Sequence, residues 1–165
     1  MNADPAVMEF YPSILSDRES LALIEKFEAS FASEGFGIWA LELKGANSFI
    51  GYVGLSRPSF EAHFTPCVEI GWRVAREFWG SGLAVEGAKE AMRDGFQRLQ
   101  LEEIVSFTAA INDRSIRVME KIGMARNPKD DFLHPLLEDG DRLKPHVLFR
   151  LARSNWYGKG PASVV

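Results

Sequence analysis

The chain has 165 residues, of which 46% are hydrophobic, 12% aromatic and 25% charged, with a net charge of −4; this composition excludes wholesale disorder, a collagen-like repeat and a coiled coil. The acidic balance argues against a nucleic-acid partner, and no apolar run approaches the roughly 18 residues of a membrane helix, so neither nucleic acid nor membrane is expected as a partner. A single cysteine, Cys67, and three histidines without ligand spacing (His63, His134, His146) leave no internal disulfide and no metal site, and the opening MNADPAVMEF lacks the basic flank and apolar stretch of a secretory signal, so a cytoplasmic protein is expected.

In chain order, Ser16-Asp17-Arg18-Glu19 has the pattern of a capping box, and Leu23, Ile24, Phe27 and Phe31 then recur at helical spacing until Gly35 to Gly37 stop the helix. Trp39, Leu41 and Leu43 alternate with smaller or polar residues, KGANS turns the chain, and Phe49 to Leu55 returns, which predicts an antiparallel hairpin. A third strand is expected over Cys67 to Val74. Leu83, Ala84, Ala88, Ala91, Met92, Phe96 and Leu99 then mark one face of a long amphipathic helix. Ile104 to Ala110 is short, apolar and β-branched, as a buried central strand requires. A short helix from Arg114 to Ile122, ended by Gly123, precedes two more strands over Met124 to Phe132 and Pro145 to Ala152. The expected organisation is one α/β domain over residues 1–154, a mixed sheet flanked by helices, with a flexible tail over 155–165.

The segment with most chemical content is Trp79-Gly80-Ser81-Gly82-Leu83-Ala84, between a strand and the long helix. Two glycines allow a sharp turn and close approach of a ligand to the backbone. The unpaired N–H groups of the helix tip, with the helix dipole, suit an anion such as a pyrophosphate. A tight turn with no ligand explains the same two glycines equally well. The segment lacks Gly-Lys-Ser/Thr, and Val85 stands where a dinucleotide fingerprint needs its third glycine or alanine, so both nucleotide readings are weak.

With Val68-Glu69-Ile70-Gly71-Trp72-Arg73-Val74 ahead of it, this segment resembles the acetyl-CoA signature of the GNAT superfamily of N-acetyltransferases. Asn112 to Met124 (NDRSIRVMEKIGM) is similar to that superfamily's last helix. The spacing and the Glu-Ile-Gly-Trp strand resemble most closely the ribosomal-protein N-terminal acetyltransferase branch, over residues 4 to 152. The resemblance implies an acyl-CoA N-acyltransferase fold, a mostly antiparallel sheet splayed between the strands 67–74 and 104–110. It implies acetyl-CoA as co-substrate, with pantetheine along Trp72, Arg73 and Val74 and pyrophosphate on the turn from Trp79, Gly80 and Ser81 through Gly82, Leu83 and Ala84. Asn112 and Ser115 would contact the pantetheine or its thiol end, although both are also ordinary helix-capping residues. The acceptor would be a primary amine, on a small molecule or a peptide N-terminus.

Such an amine must lose a proton near neutral pH. Glu69 is the candidate base, against the reading of a solvent-facing strand carboxylate. A backbone N–H near Trp72 to Arg73 is the candidate oxyanion donor. The superfamily's usual tyrosine acid is replaced by Met119, and Ser115 is the substitute. His134 in the late loop is a lesser candidate for the acceptor side, and the acidic residues Asp130, Asp131, Glu138, Asp139 and Asp141 would suit a cationic acceptor. Relatives carry a strand and a helix ahead of Asp4-Pro5. Beginning at that segment implies an exposed edge at Trp39 to Leu43, and with it a homodimer that covers the edge. Two other classes stay open: an acyl-CoA-binding module without catalysis, and a nucleotide-binding α/β protein.

Overall fold

The structure is a computed structural model that describes residues 1–45 and 48–158. Helix α1 (Asp17–Glu34) starts at Ser16, whose hydroxyl accepts from the Glu19 N–H, and ends at Gly35 in the left-handed conformation. Strands β1 (Ile38–Leu43) and β2 (Ser48–Ser56) form the expected hairpin, and β3 (Glu69–Val74) extends it antiparallel. Helix α2 (Leu83–Gln97) leads to β4 (Glu103–Ala109), then come α3 (Asp113–Lys121), β5 (Ala125–Arg126), β6 (Phe132–Leu133), β7 (Pro145–Ala152) and α4 (Arg153–Gly158). The seven-stranded sheet has the order β1-β2-β3-β4-β7-β5, with β6 also on β7, and only β3 and β4 run parallel. This is the mixed, mostly antiparallel α/β architecture that the element order implies.

Three readings of the chain need correction. The strand expected over Met124 to Phe132 is broken into two-residue β5 and β6, because Pro128 has no N–H for a ladder and opens a 3-10 turn over Pro128–Asp130. The third strand starts at Glu69 rather than Cys67, since its partner β2 ends at Ser56, opposite Glu69. Residues Asn155 to Gly158, read as part of the tail, belong to α4, where the Trp156 ring lies 5.6 Å from that of Phe96. Residues 159–165 of the expected tail and the centre of the KGANS turn, residues 46 and 47, lie outside the described residues.

The sheet separates two apolar layers. On one face Val53, Leu55, Ile70, Ile104, Phe149 and Leu151 meet Ala88, Met92 and Phe96 of α2 and Met119 of α3. On the other, Phe64, Val105 and Leu148 gather Phe60, Phe107 and Phe132 beneath the β2–β3 loop. Helix α1, by contrast, buries no residue, and Leu21 and Ile24 on it are half exposed or more.

Candidate active site

Strands β3 and β4 share a single ladder position, Glu69 with Val105. The Val105 N–H donates to the Val68 carbonyl at 3.0 Å. In a parallel ladder the residues that bond one neighbour alternate along the strand, so Val68, Ile70, Trp72 and Val74 turn their backbone groups toward β4. The Ile70 carbonyl accepts from the Ser106 hydroxyl (2.9 Å) and the Val74 carbonyl from the Trp79 indole (2.8 Å). Beyond the single rung, the N–H groups of Trp72 and Val74 face a gap that β4 does not close. The Arg73 N–H instead turns toward β2, opposite Tyr52, so the donor expected near Trp72 to Arg73 falls to the Trp72 N–H.

The gap opens into a cavity of about 280 Å³ lined by Trp72, Arg73, Val74, Trp79, Gly80, Gly82, Leu83, Ala84, Asn112 and Ser115. All the residues expected to hold the co-substrate are thus brought together except Ser81, whose hydroxyl donates to the Phe78 carbonyl and braces the turn. Gly80 and Gly82 have φ of 78° and 84°, and space is open where a Cβ would stand. Gly82 is the N-cap of α2 and provides no side-chain cap, so the first N–H groups of the helix remain available to an anion.

Sequence reasoning missed part of the wall. Arg114, Arg117 and Lys121 line it, and no Asp or Glu does. Their spacing, three and seven residues along α3, was a readable helical stripe. Arg114 stacks on Trp79, 4.4 Å from the ring centroid, and pairs with Glu9 at 2.7 Å. Val7, Phe10 and Tyr11 of the N-terminal segment close the same cavity, and no local pattern announced them.

Asn112 caps α3. Its Oδ1 accepts from the Ser115 N–H (3.2 Å), and its amide donates to Thr108 Oγ1 (2.9 Å) and Ser115 Oγ (3.1 Å). Both amide protons are spent inside the protein, so Asn112 orients Ser115 more than it binds a ligand. The Ser115 hydroxyl accepts from Asn112, and among the described residues its own proton has no acceptor. Met119 is fully buried in the core, so the tyrosine position of this helix does not reach the cavity.

Glu69 lies on the face of β3 opposite Trp72 and Val74, the face it shares with Arg73, at the last rung before the splay, and does not itself line the cavity. It is partly covered, neither buried nor fully exposed. Burial pushes its carboxyl up to about 7, against the opposing pull of the Ser56 hydroxyl, which donates to Oε1 at 2.9 Å, and of Lys26. His134 lies in an aromatic cluster, 4.6 Å from Phe60 and 4.8 Å from His146 by ring centroids, and burial holds both imidazoles below their ordinary value, that of His146 down to about 4. Three of the five acidic residues in the late loop are already paired: Asp130 with Arg150, Asp131 with Arg126 and Asp139 with Lys144.

The model of the GNAT acetyltransferase domain matches residues 1–125. The uncharacterized protein YkkB of Bacillus subtilis (strain 168) is 31% identical over 121 residues, which is 73% of this chain and 69% of that protein. The FsC-acetyl coenzyme A-N(2)-transacetylase of Aspergillus fumigatus is 34% identical over 130 residues, 74% of this chain, and the match spans only 52% of that relative. Among solved structures, a GNAT-family acetyltransferase from Bacillus anthracis has a TM-score of 0.74 at 22% identity, covering 93% of this chain and 85% of its own. A spermidine N-acetyltransferase SpeG chimera from Vibrio cholerae and hSSAT has a TM-score of 0.70 at 21% identity, with 96% and 89% covered. At these identities the two structures speak to the shared fold.

Proposed function

The chain belongs to the GNAT acetyltransferase family and is an N-acetyltransferase, and from that premise we propose that it moves the acetyl group of acetyl-CoA directly to a primary amine held on the Glu69 face of β3. The observation that carries this reading is the single rung between β3 and β4, with the glycine-lined tip of α2 at the end of the gap. A pantetheine chain lying in the gap satisfies the Trp72 and Val74 backbone groups as a further strand would. The pyrophosphate meets the α2 tip and the basic stripe of α3.

In the transfer, the amine attacks the thioester carbon. Glu69, poised near neutrality, takes the amine proton directly or through a water. The Trp72 N–H donates to the oxygen that becomes negative. The carbon–sulfur bond then breaks, and Ser115, whose proton is uncommitted, donates to the departing thiolate. The family assignment does not favour the non-catalytic module or the nucleotide-binding protein. Thermal denaturation with acetyl-CoA, CoA, NAD and ATP tests the reading: acetyl-CoA and CoA raise Tm, and protection by NAD or ATP alone overturns it. CoA release with a panel of amines tests turnover.

The nearer relationship to the ribosomal-protein branch belongs to the same proposal. Among the described residues β1 has no partner on its outer side and α1 buries no residue, which supports a homodimer across that edge. A mass independent of concentration, and equal to one chain in sedimentation, defeats the dimer.

A further inference from the structure

Arg73 lies next to the expected thioester and is only 7% exposed, yet no carboxylate pairs with it among the described residues. Its Nη1 donates to Asn2 Oδ1 at 2.9 Å, and its guanidinium carbon sits 4.0 Å from the Tyr11 ring centroid and 5.2 Å from that of Tyr52. Nε is buried without a partner. Among the described residues Nη2 has no protein partner either and is not sealed from solvent, and Arg73 is one of the residues at the cavity wall. Nε and Nη2 share one edge of the guanidinium, the edge with which arginine grips a carboxylate. A guanidinium taken out of water with no anion beside it is a costly arrangement unless a ligand completes it.

Its neighbours on β3 indicate which ligand. Glu69, Gly71 and Arg73 share one face, with Glu69 and Arg73 about 13 Å apart along the strand. Gly71 between them has open space where a Cβ would stand. An acceptor lying over Gly71 has its amine toward the Glu69 carboxyl and its far end toward the guanidinium. We propose that Arg73 binds a substrate carboxylate, so that the preferred acceptor is an amino-carboxylic acid or a peptide bearing an acidic group, rather than a polyamine. An acyl-CoA whose acyl tail ends in a carboxylate would offer the same guanidinium the same chemistry. The chemistry is shared, and the test separates the two sources. This inference rests on the acetyl-transfer reading above.

The test measures kcat/KM by CoA release for wild type, Arg73→Met and Arg73→Lys. One arm uses amino acids and their carboxamides with acetyl-CoA; the other uses acetyl-CoA and succinyl-CoA with one neutral amine. Each arm is read as a ratio between wild type and variant, so the basicity of the amine cancels. The acid-over-amide ratio is expected to fall about tenfold to a hundredfold in Arg73→Met, with partial rescue by Arg73→Lys, as for loss of a charged hydrogen bond. A fall confined to the succinyl-over-acetyl ratio moves the carboxylate to the donor. Equal losses for acid and amide, with both ratios unchanged, reduce Arg73 to a structural tie for the N-terminal segment and overturn the proposal. If no amine is acetylated, the transfer reading fails separately. Calorimetric titration of an N-acetyl amino acid and its amide onto the CoA-loaded protein then decides: a preference for the acid that Arg73→Met abolishes sustains the carboxylate site, and no preference removes it.

Discussion

The two faces of β3 make opposite uses of one six-residue strand. On one side Ile70 is 1% exposed and Val74 7%, and with Trp72 they lie toward α2 and the apolar core. On the other side stand a carboxyl raised to about 7 and a guanidinium that has no counter-ion among the described residues, with a glycine and open space between them. Alternation in a strand sends neighbouring side chains to different environments, so stability and chemistry sit one residue apart without sharing atoms. The lesson is that substitutions on the two faces should separate cleanly into losses of rate and losses of stability.

The largest break of that contrast is expected from Glu69→Gln. The rate of acetyl transfer at pH 8 should fall about 10²- to 10⁴-fold, with CoA affinity unchanged by calorimetry. In the wild type, kcat/KM should climb as pH rises toward about 7 and then level, as the carboxyl ionises; that inflection should vanish in the variant. An unchanged rate removes Glu69 as the base. On the core face, Ile70→Ala should cost about 2–5 kcal/mol in denaturant unfolding, while the pH inflection of the remaining activity stays in place.

Glu69 should also be visible in stability, with the opposite sign. Its folded carboxyl is raised above the ordinary 4.5 to about 7, so the folded state holds its proton more tightly than the unfolded chain. The contribution is fully present below pH 4.5, is lost as pH rises through about 7, and leaves an unfavourable buried charge above that. Glu69→Gln should therefore be more stable than wild type by about 2–3 kcal/mol at pH 8 and indistinguishable from it, as to this group, near pH 4.5. Thermal melts across that range check it, and a gain that is the same at both pH values contradicts the buried carboxyl.

Met119→Tyr restores the tyrosine common in this superfamily at a position that faces the core here. It should lower stability by about 1–3 kcal/mol through overpacking and leave the rate no higher; a faster enzyme would mean that α3 turns this position to the thioester. The smallest effect sharpens the comparison at the helix tip. Gly82→Ala places a Cβ in open space at φ 84°, so the penalty is conformational, about 1–2 kcal/mol, and it should appear partly as weaker CoA binding.

Where a residue's role depends on its chain neighbours, it was readable in advance. The Ser16–Glu19 capping box, the apolar stripe of α2 and the glycines at 80 and 82 all stand where their local pattern put them. Pro128 carried the break between β5 and β6, but the apolar residues around it read as one strand. The stripe of Leu23, Ile24, Phe27 and Phe31 predicted a helix, and the fold buries none of its residues, because periodicity reports a face and not what covers it. The acidic loop showed its charges but not the arginines and lysine that neutralise three of them.

Most helix and strand choices, the turn at the α2 tip and the lack of an internal disulfide follow from the sequence alone, since torsional preference and spacing act over a few neighbours. The burial that lifts Glu69, the desolvation of Arg73 between Tyr11 and Tyr52, and the N-terminal wall of the cavity were decided only by the fold. Those properties measure how much water is excluded and which charges are near, and both are set by segments far apart in the chain, as Asn2 is 71 positions from Arg73 and Glu9 is 105 from Arg114.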